Sequence, residues 1–237
     1  MPLVKPKTLV LLDIDGTLLD AAGQGREAFH QALDAFYPGF DFPRFSMAGR
    51  TDFGLWKQFT SLTPAPTPRF EDFLPRYTEH LDQRLRSTPP VALPGVRELL
   101  AALEEAQDLH PGLVTGNVFE GSRLKLFHCD LWEPFERTGV HPGAYGESDH
   151  DKGPLALKAL AHWGEPTPAI LVGDTPEDIR CAHLAGIPCL AVATGGFDAE
   201  TLRHHGADEV LPDVSDTALV LATIRALARV PARGSAS

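Results

Sequence analysis

Thr8-Leu9-Val10-Leu11-Leu12 runs directly into Asp13-Ile14-Asp15-Gly16-Thr17-Leu18. Five apolar residues without alternation fit a strand buried on both faces, as in a parallel sheet. The acidic turn follows at once, and Gly16 lets the chain leave the strand sharply. The same pattern returns at residues 112–116 (Gly-Leu-Val-Thr-Gly) and 169–173 (Ala-Ile-Leu-Val-Gly). His110-Pro111-Gly112 interrupts the first of these, so a short strand is expected there. Further apolar runs stand at 187–193 and, more weakly, at 209–211.

Between these runs the spacing turns helical. Val96, Leu99, Leu100 and Leu103 share one side of a predicted helix over 96–106, and segments 155–163 and 217–228 behave alike. Alternating short strands and helices predict an α/β fold, a parallel sheet with helices on both faces. Ligands of such sheets bind at the carboxyl ends of the strands. Asp13-Ile14-Asp15-Gly16-Thr17, Val114-Thr115-Gly116-Asn117 and Val172-Gly173-Asp174-Thr175-Pro176-Glu177-Asp178 all fall at that edge.

Residues 20–92 break the alternation. They hold Phe29, Phe36, Tyr37, Phe40, Phe42, Phe45, Phe53, Trp56, Phe59, Phe70, Phe73 and Tyr77, with a proline-rich break at 63–68. An inserted helical subdomain with its own aromatic core is expected.

Each strand-end motif offers a chemistry. Asp13 and Asp15, at i and i+2 on a continued strand, would point the same way and repel unless a cation offsets them. Hard carboxylate oxygens suit magnesium. One carboxylate can attack phosphorus, and the other can protonate a leaving oxygen and later activate water. The Thr115 hydroxyl and the backbone around Gly116 and Asn117 can hold phosphoryl oxygens, although such a turn alone is commonly just a turn. Lys152 stands just before a predicted helix whose first turn suits Pro154. It can neutralise crowded carboxylates, with Lys158 the competing lysine. Asp174 at a strand tip is a candidate magnesium ligand, and Asp178 either a second ligand or the partner that orients Lys152. Glu177 reads as a solvated charge at a helix start.

The ordered set of a DxDGT sequence, Thr115, Lys152 and Gly173-Asp174-xxx-Asp178 resembles the haloacid dehalogenase superfamily, nearest the branch with phosphoglycolate phosphatase and beta-phosphoglucomutase. The resemblance runs from Thr8 to about Ala228. It implies a Rossmann-like catalytic core over 1–19 and 93–230, a helical cap over 20–92 and a flexible tail over 231–237. It implies Asp13 as nucleophile, Asp15 as general acid and base, and Lys152 holding charge in place. Gly16, Thr17, Thr115, Gly116 and Asn117 would surround the phosphoryl group. Magnesium would be bound by Asp13, the main-chain carbonyl of Asp15 and Asp174, with Asp178 assisting. Gly49-Arg50-Thr51-Asp52 looks like the family's substrate-facing loop, with Arg50 pairing a substrate carboxylate or a second phosphate. Members often carry Lys-Pro where this chain has Lys152-Gly153-Pro154.

The expected activity is magnesium-dependent hydrolysis of a small, phosphoglycolate-like phosphate ester through an aspartyl-phosphate. A sugar phosphomutase needs the same pair of aspartates and stays open, as does an inactive binding or scaffold protein on the same fold. A dehalogenase of the superfamily would lack Asp at the position of Asp15. The formal net charge of −11 opposes nucleic-acid binding, and no stretch approaches the ~20 apolar residues that span a bilayer. Cys129, Cys181 and Cys189 form no CxxC pair and read as reduced thiols of a cytoplasmic protein. His141, His150, His162, His183, His204 and His205 are scattered and read as ordinary polar residues. Oligomeric state leaves no mark.

Overall fold

The computed structural model describes residues 7–136, 143–164 and 167–229; His141 and the tail 231–237 lie outside them. In chain order the first elements are β1 (Thr8–Leu12), β2 (Leu19–Asp20), α1 (Gln24–Asp34), α2 (Asp52–Thr60), α3 (Phe70–Ser87) and β3 (Val91–Ala92). Then come α4 (Val96–Glu105), β4 (Leu109–Val114), α5 (Phe119–Phe127), α6 (Glu133–Glu136), β5 (Gly143–Ala144) and α7 (Leu155–Trp163). The chain closes with β6 (Ala169–Gly173), α8 (Pro176–Leu184), β7 (Cys189–Val192), α9 (Ala199–His204), β8 (Glu209–Leu211) and α10 (Thr217–Leu227).

Six strands form one sheet in the order β5-β4-β1-β6-β7-β8, every described pairing parallel. The apolar runs are explained by burial on both faces. Val10 and Leu12 of β1, with Ile170 and Val172 of β6, face a core shared with α4 and α10. Leu9 and Leu11, with Ala169 and Leu171, face the opposite core, shared with α7 and α8. A two-residue period inside a continuous apolar run is what a sheet between two helical layers requires. This is the expected α/β fold.

Two expectations fail. The strand before Thr115 is not short: β4 begins at Leu109 and passes through His110, Pro111 and Gly112, with Pro111 opposite Val10. Its pairing with β5 starts only at Leu113. Pro111 therefore sits where β4 has one described neighbour, and a missing N–H on the other side breaks no ladder bond there. Pro154, expected in the first turn of α7, is its N-cap instead.

Helices α1, α2 and α3 lie between β2 and β3, which pair antiparallel, Leu19 with Ala92 and Asp20 with Val91. All twelve aromatics of residues 29–77 join one cluster, with Phe29, Phe59, Phe73 and Tyr77 fully buried. Each such ring stabilises by roughly 1.5–3 kcal/mol. Val118 and Leu124, next to and on α5, complete the cluster and join these helices to the sheet's own layer.

Candidate active site

β1 stops at Leu12, and the carbonyl of Ile14 accepts from the N–H groups of Thr17, Leu18 and Leu19 in a tight turn. Gly16 takes a φ of 81°, and a side chain there would collide with Asp174. Only glycine meets both demands cheaply. Its N–H donates to the Leu19 carbonyl at 2.9 Å.

Because the strand has ended, Asp13 and Asp15 do not share one direction. The ammonium of Lys152 stands 2.9 Å from Asp13 Oδ1. Lys125, on α5, stands 2.6 Å from Asp15 Oδ2. The repulsion expected of a carboxylate pair on one strand is relieved by two separate lysines.

Lys152 is 1% exposed and also lies 2.5 Å from Asp178 Oδ1. Asp178 Oδ2 accepts from Thr175 N–H at 3.0 Å and Thr175 Oγ1 at 2.7 Å, closing a capping box at the start of α8. Asp178 thus orients Lys152 and ties it to the helix. Lys158 instead pairs with Asp149 at 2.5 Å on the surface, so it is no competitor. Glu177 pairs with Arg180 at 2.8 Å at an exposed helix start, as expected.

Asp174 accepts from Thr17 Oγ1 at 3.0 Å. Carboxylate oxygens of Asp13, Asp174 and Asp178 lie within 4.8 Å of one another, all three groups buried. Burial raises Asp13 to about 6; Lys152 pulls it down and Asp178 pushes it up. Burial also drives Asp174 well above the usual carboxylate range, aided by Asp178 and Asp13. Burial lowers Lys152, but its two carboxylate partners outweigh that and raise it. Three carboxylates against one ammonium leave two negative charges, which one divalent cation would balance. Asp174 Oδ2 also faces Gly16 and Gly195, both positions where a side chain would fill the space beside it. An all-oxygen, acidic, buried cradle fits magnesium.

Thr115 is buried, and its Oγ1 accepts from Asn117 Nδ2 at 2.8 Å and Asn117 N at 3.3 Å. With two donors received, its O–H is left to donate. Asn117 spends its side chain inside the protein: Nδ2 also donates to Asp15 Oδ2 at 2.7 Å, and Oδ1 accepts from Lys125 at 2.7 Å. Burial would raise Asp15, but the Lys125 charge and hydrogen bonds from Lys125 and Asn117 bring it below its ordinary range.

The end of the loop before α2 and the first residues of that helix are seated near the strand ends by main-chain and side-chain bonds. Asp52 N–H donates to the Gly116 carbonyl at 2.8 Å and Phe53 N–H to the Gly146 carbonyl at 3.0 Å. Thr51 Oγ1 donates to the Asp149 carbonyl at 2.6 Å, and Asp52 Oδ2 accepts from Val118 N–H at 2.9 Å. Gly116, Gly146 and Gly54 each face a backbone carbonyl too close for a side chain. Arg50 borders the cavity, with its guanidinium 5.3 Å from the Phe45 ring centre and hydrogen-bonded to Gln58.

A cavity of about 610 Å³ results, walled by Asp13, Asp15, Thr115, Gly116, Asn117, Lys125, Lys152 and Asp174 on one side and by Arg26, Arg44, Phe45 and Arg50 on the other. Every site residue taken from the sequence borders it except Thr17 and Asp178, which support Asp174 and Lys152 from behind. Sequence reasoning missed Lys125, and it named Asp52 only as part of the Gly49–Asp52 loop, without a role of its own. Lys125 left no signal because α5 buries Gly121, Ser122 and Lys125 beside its leucines, so no apolar stripe marks its inner face.

The three cysteines are free and buried. His183 meets Asp208 at 3.2 Å and His162 the Gly143 carbonyl at 3.1 Å, both ordinary polar contacts. Among the described residues no helix is long and apolar enough to cross a membrane.

Residues 10–192 match the family described as haloacid dehalogenase-like hydrolase. A relative from Pseudomonas aeruginosa, N-acetylmuramic acid 6-phosphate phosphatase, is 32% identical over 89% of this chain and 95% of its own. The probable phosphatase IndB of Dickeya dadantii is 28% identical over 83% of this chain and 86% of its own. Among solved structures, CbbY from Rhodobacter sphaeroides in complex with phosphate shares the fold with a TM-score of 0.67. It is 21% identical, over 89% of this chain and 96% of that one.

Proposed function

The chain belongs to the haloacid dehalogenase-like hydrolases and is a phosphatase; on that premise we propose that it hydrolyses a small organophosphate through an aspartyl-phosphate on Asp13, with magnesium. The carrying observation is the pair at the tip of β1, Asp13 against Lys152 and Asp15 against Lys125, opening on one cavity.

In this reading a carboxylate oxygen of Asp13 attacks phosphorus and the ester P–O bond breaks. Asp15, held ionised in the free chain by Lys125 and Asn117, takes up the proton of the bound phosphate monoanion and passes it to the departing oxygen. Asp15 then takes a proton from water as that water attacks phosphorus, the acyl P–O bond breaks, and inorganic phosphate leaves with Asp13 restored. Lys152 and the Thr115 hydroxyl face the equatorial oxygens throughout. Asp13, Asp174 and the main-chain carbonyl of Asp15 would hold magnesium, which when bound offsets the charge of phosphate and carboxylates. Asp178 serves through Lys152. Helices α1–α3 act as a cap, and the seating of residues 50–53 on Gly116 and Gly146 excludes water from the reaction.

The substrate has room beyond its phosphate. The cavity exceeds what a two-carbon acid needs, and Arg26 and Arg50 on its far wall suit an additional anionic group. A phosphoglycolate-like acid and a sugar phosphate carrying a carboxylate both meet that description. The name of the P. aeruginosa relative favours the sugar. Free, buried thiols suit the cytoplasm.

The test is phosphate release from an aryl phosphate and a panel of acidic and neutral phosphate esters, with magnesium and with chelator. Magnesium-dependent turnover lost in Asp13→Asn is expected, with one labelled oxygen entering phosphate from water. Turnover retained in Asp13→Asn would refute the nucleophile, and isomerisation without net hydrolysis would replace hydrolase by mutase.

A further inference from the structure

We propose that Lys125 is a positioning residue that aims the Asp15 carboxylate at the leaving group; this rests on the acid role given to Asp15 above. Three observations converge. Both side-chain donors that reach Asp15, Lys125 Nζ at 2.6 Å and Asn117 Nδ2 at 2.7 Å, meet the same oxygen, Oδ2. Lys125 is itself locked, 4% exposed and bonded to Asn117 Oδ1 at 2.7 Å, whereas the Asp15 side chain keeps 43% of its surface. Gly25 of α1 faces the ammonium, and a Cβ there would stand 3.3 Å from Nζ and 3.4 Å from Cε.

Anchoring one oxygen from two directions fixes both torsions of a short side chain. Oδ1 is thereby left as the atom that meets the departing oxygen, while Oδ2 carries the anchor. The lysine bonds to Asp15 and Asn117, while the nucleophile Asp13 pairs with Lys152 instead. Asn117 does double duty, since its amide also feeds the Thr115 hydroxyl, so acid and phosphoryl cradle are set by one side chain. The bare Cα of Gly25 keeps the space into which Lys125 extends, and this makes Gly25 a part of the device contributed by α1.

A positioned acid matters in proportion to the basicity of the leaving group. The experiment measures kcat/KM, which reports the step that expels that group, for aryl and alkyl phosphates spanning dinitrophenyl to ethyl, in wild type, Lys125→Met and Lys125→Gln. Lys125→Met is expected to lose about 10²-fold or more on alkyl phosphate but under about threefold on dinitrophenyl phosphate, which leaves without a proton. Inhibition by inorganic phosphate stays unchanged. Lys125→Gln, which keeps one donor, falls between. Gly25→Val, which alters no charge, shows the same leaving-group dependence and decides the matter if the lysine variants fail to fold. An equal loss on every leaving group, or none, overturns the positioning role while leaving the phosphatase intact. Absence of turnover in wild type, or turnover that survives Asp13→Asn, would strike the underlying mechanism instead.

Discussion

The main-chain carbonyl of Arg50 passes over Gly116 so closely that a side chain at Gly116 would overlap it. Gly116 also accepts from the N–H of Asp52, so the Arg50–Asp52 turn rests on this residue from two sides. A Gly116→Ala variant should keep its sheet, since Gly116 lies beyond the end of β4. Its loop cannot seat, and misplacement of about 1 Å can cost about 10²-fold in rate. Steady-state kcat/KM should fall by that order while circular dichroism stays that of wild type. Full activity would mean that the seated loop is dispensable.

Asp52 titrates out of place. Burial lifts it to about 6, against the pull of Lys125 and the Val118 N–H. Between its ordinary 3.8 and about 6 the folded chain holds a proton that the unfolded chain has released. The stabilisation from this group is therefore full below about 4 and disappears as pH rises through 6. At ~1.4 kcal/mol per unit it amounts to roughly 3 kcal/mol. Asp52→Asn cannot titrate, and its amide oxygen can still accept from Val118. Urea unfolding from pH 3.5 to 7 should show wild type losing stability relative to the variant across that window. Parallel curves would contradict the shift.

How much of this could be read beforehand follows from where the information sits. The buried strands announced themselves because both faces of the sheet are covered and every residue of β1 must be apolar. Asp13, Lys152 and Asp174 stand at strand ends or just before a helix, where local pattern gives position. Lys125 could not be found that way, since its role depends on Asp15, a residue 110 positions away. Pro111 misled because a proline is judged by the ladder around it, and β4 is single-sided at that point among the described residues. The Gly49–Asp52 loop could be picked out, but what it seats on could not, since its partners Gly116, Gly146, Asp149 and Val118 all meet it through backbone groups, which carry no sequence signature.

Removing the Lys152 ammonium should be costly. Lys152→Met keeps much of the volume but leaves Asp13 and Asp178 without their buried counter-charge. Breaking such a pair costs about 3–5 kcal/mol. Denaturant unfolding in chelator should register a loss of that order, together with loss of turnover. A variant as stable as wild type would show that the carboxylates simply take up protons.

Magnesium should stabilise the folded chain whether or not it turns over. A ligand at 100 times its Kd adds about 2.7 kcal/mol. Thermal unfolding should move upward with magnesium concentration in wild type and cease to respond in Asp174→Asn, which replaces one carboxylate of the acidic trio. An equal response in both would place the ion elsewhere.

The β2–β3 ribbon has a consequence for how this architecture can change. Leu19 faces Ala92 and Asp20 faces Val91, so the chain departs from the sheet and comes home through neighbouring strands roughly 5 Å apart. To the sheet, everything spliced between them is a hairpin tip. A foreign helical cassette grafted onto the ribbon would find its two ends already in register, and the Asp13–Lys152 pair would stay where it is while a new ceiling was built above it.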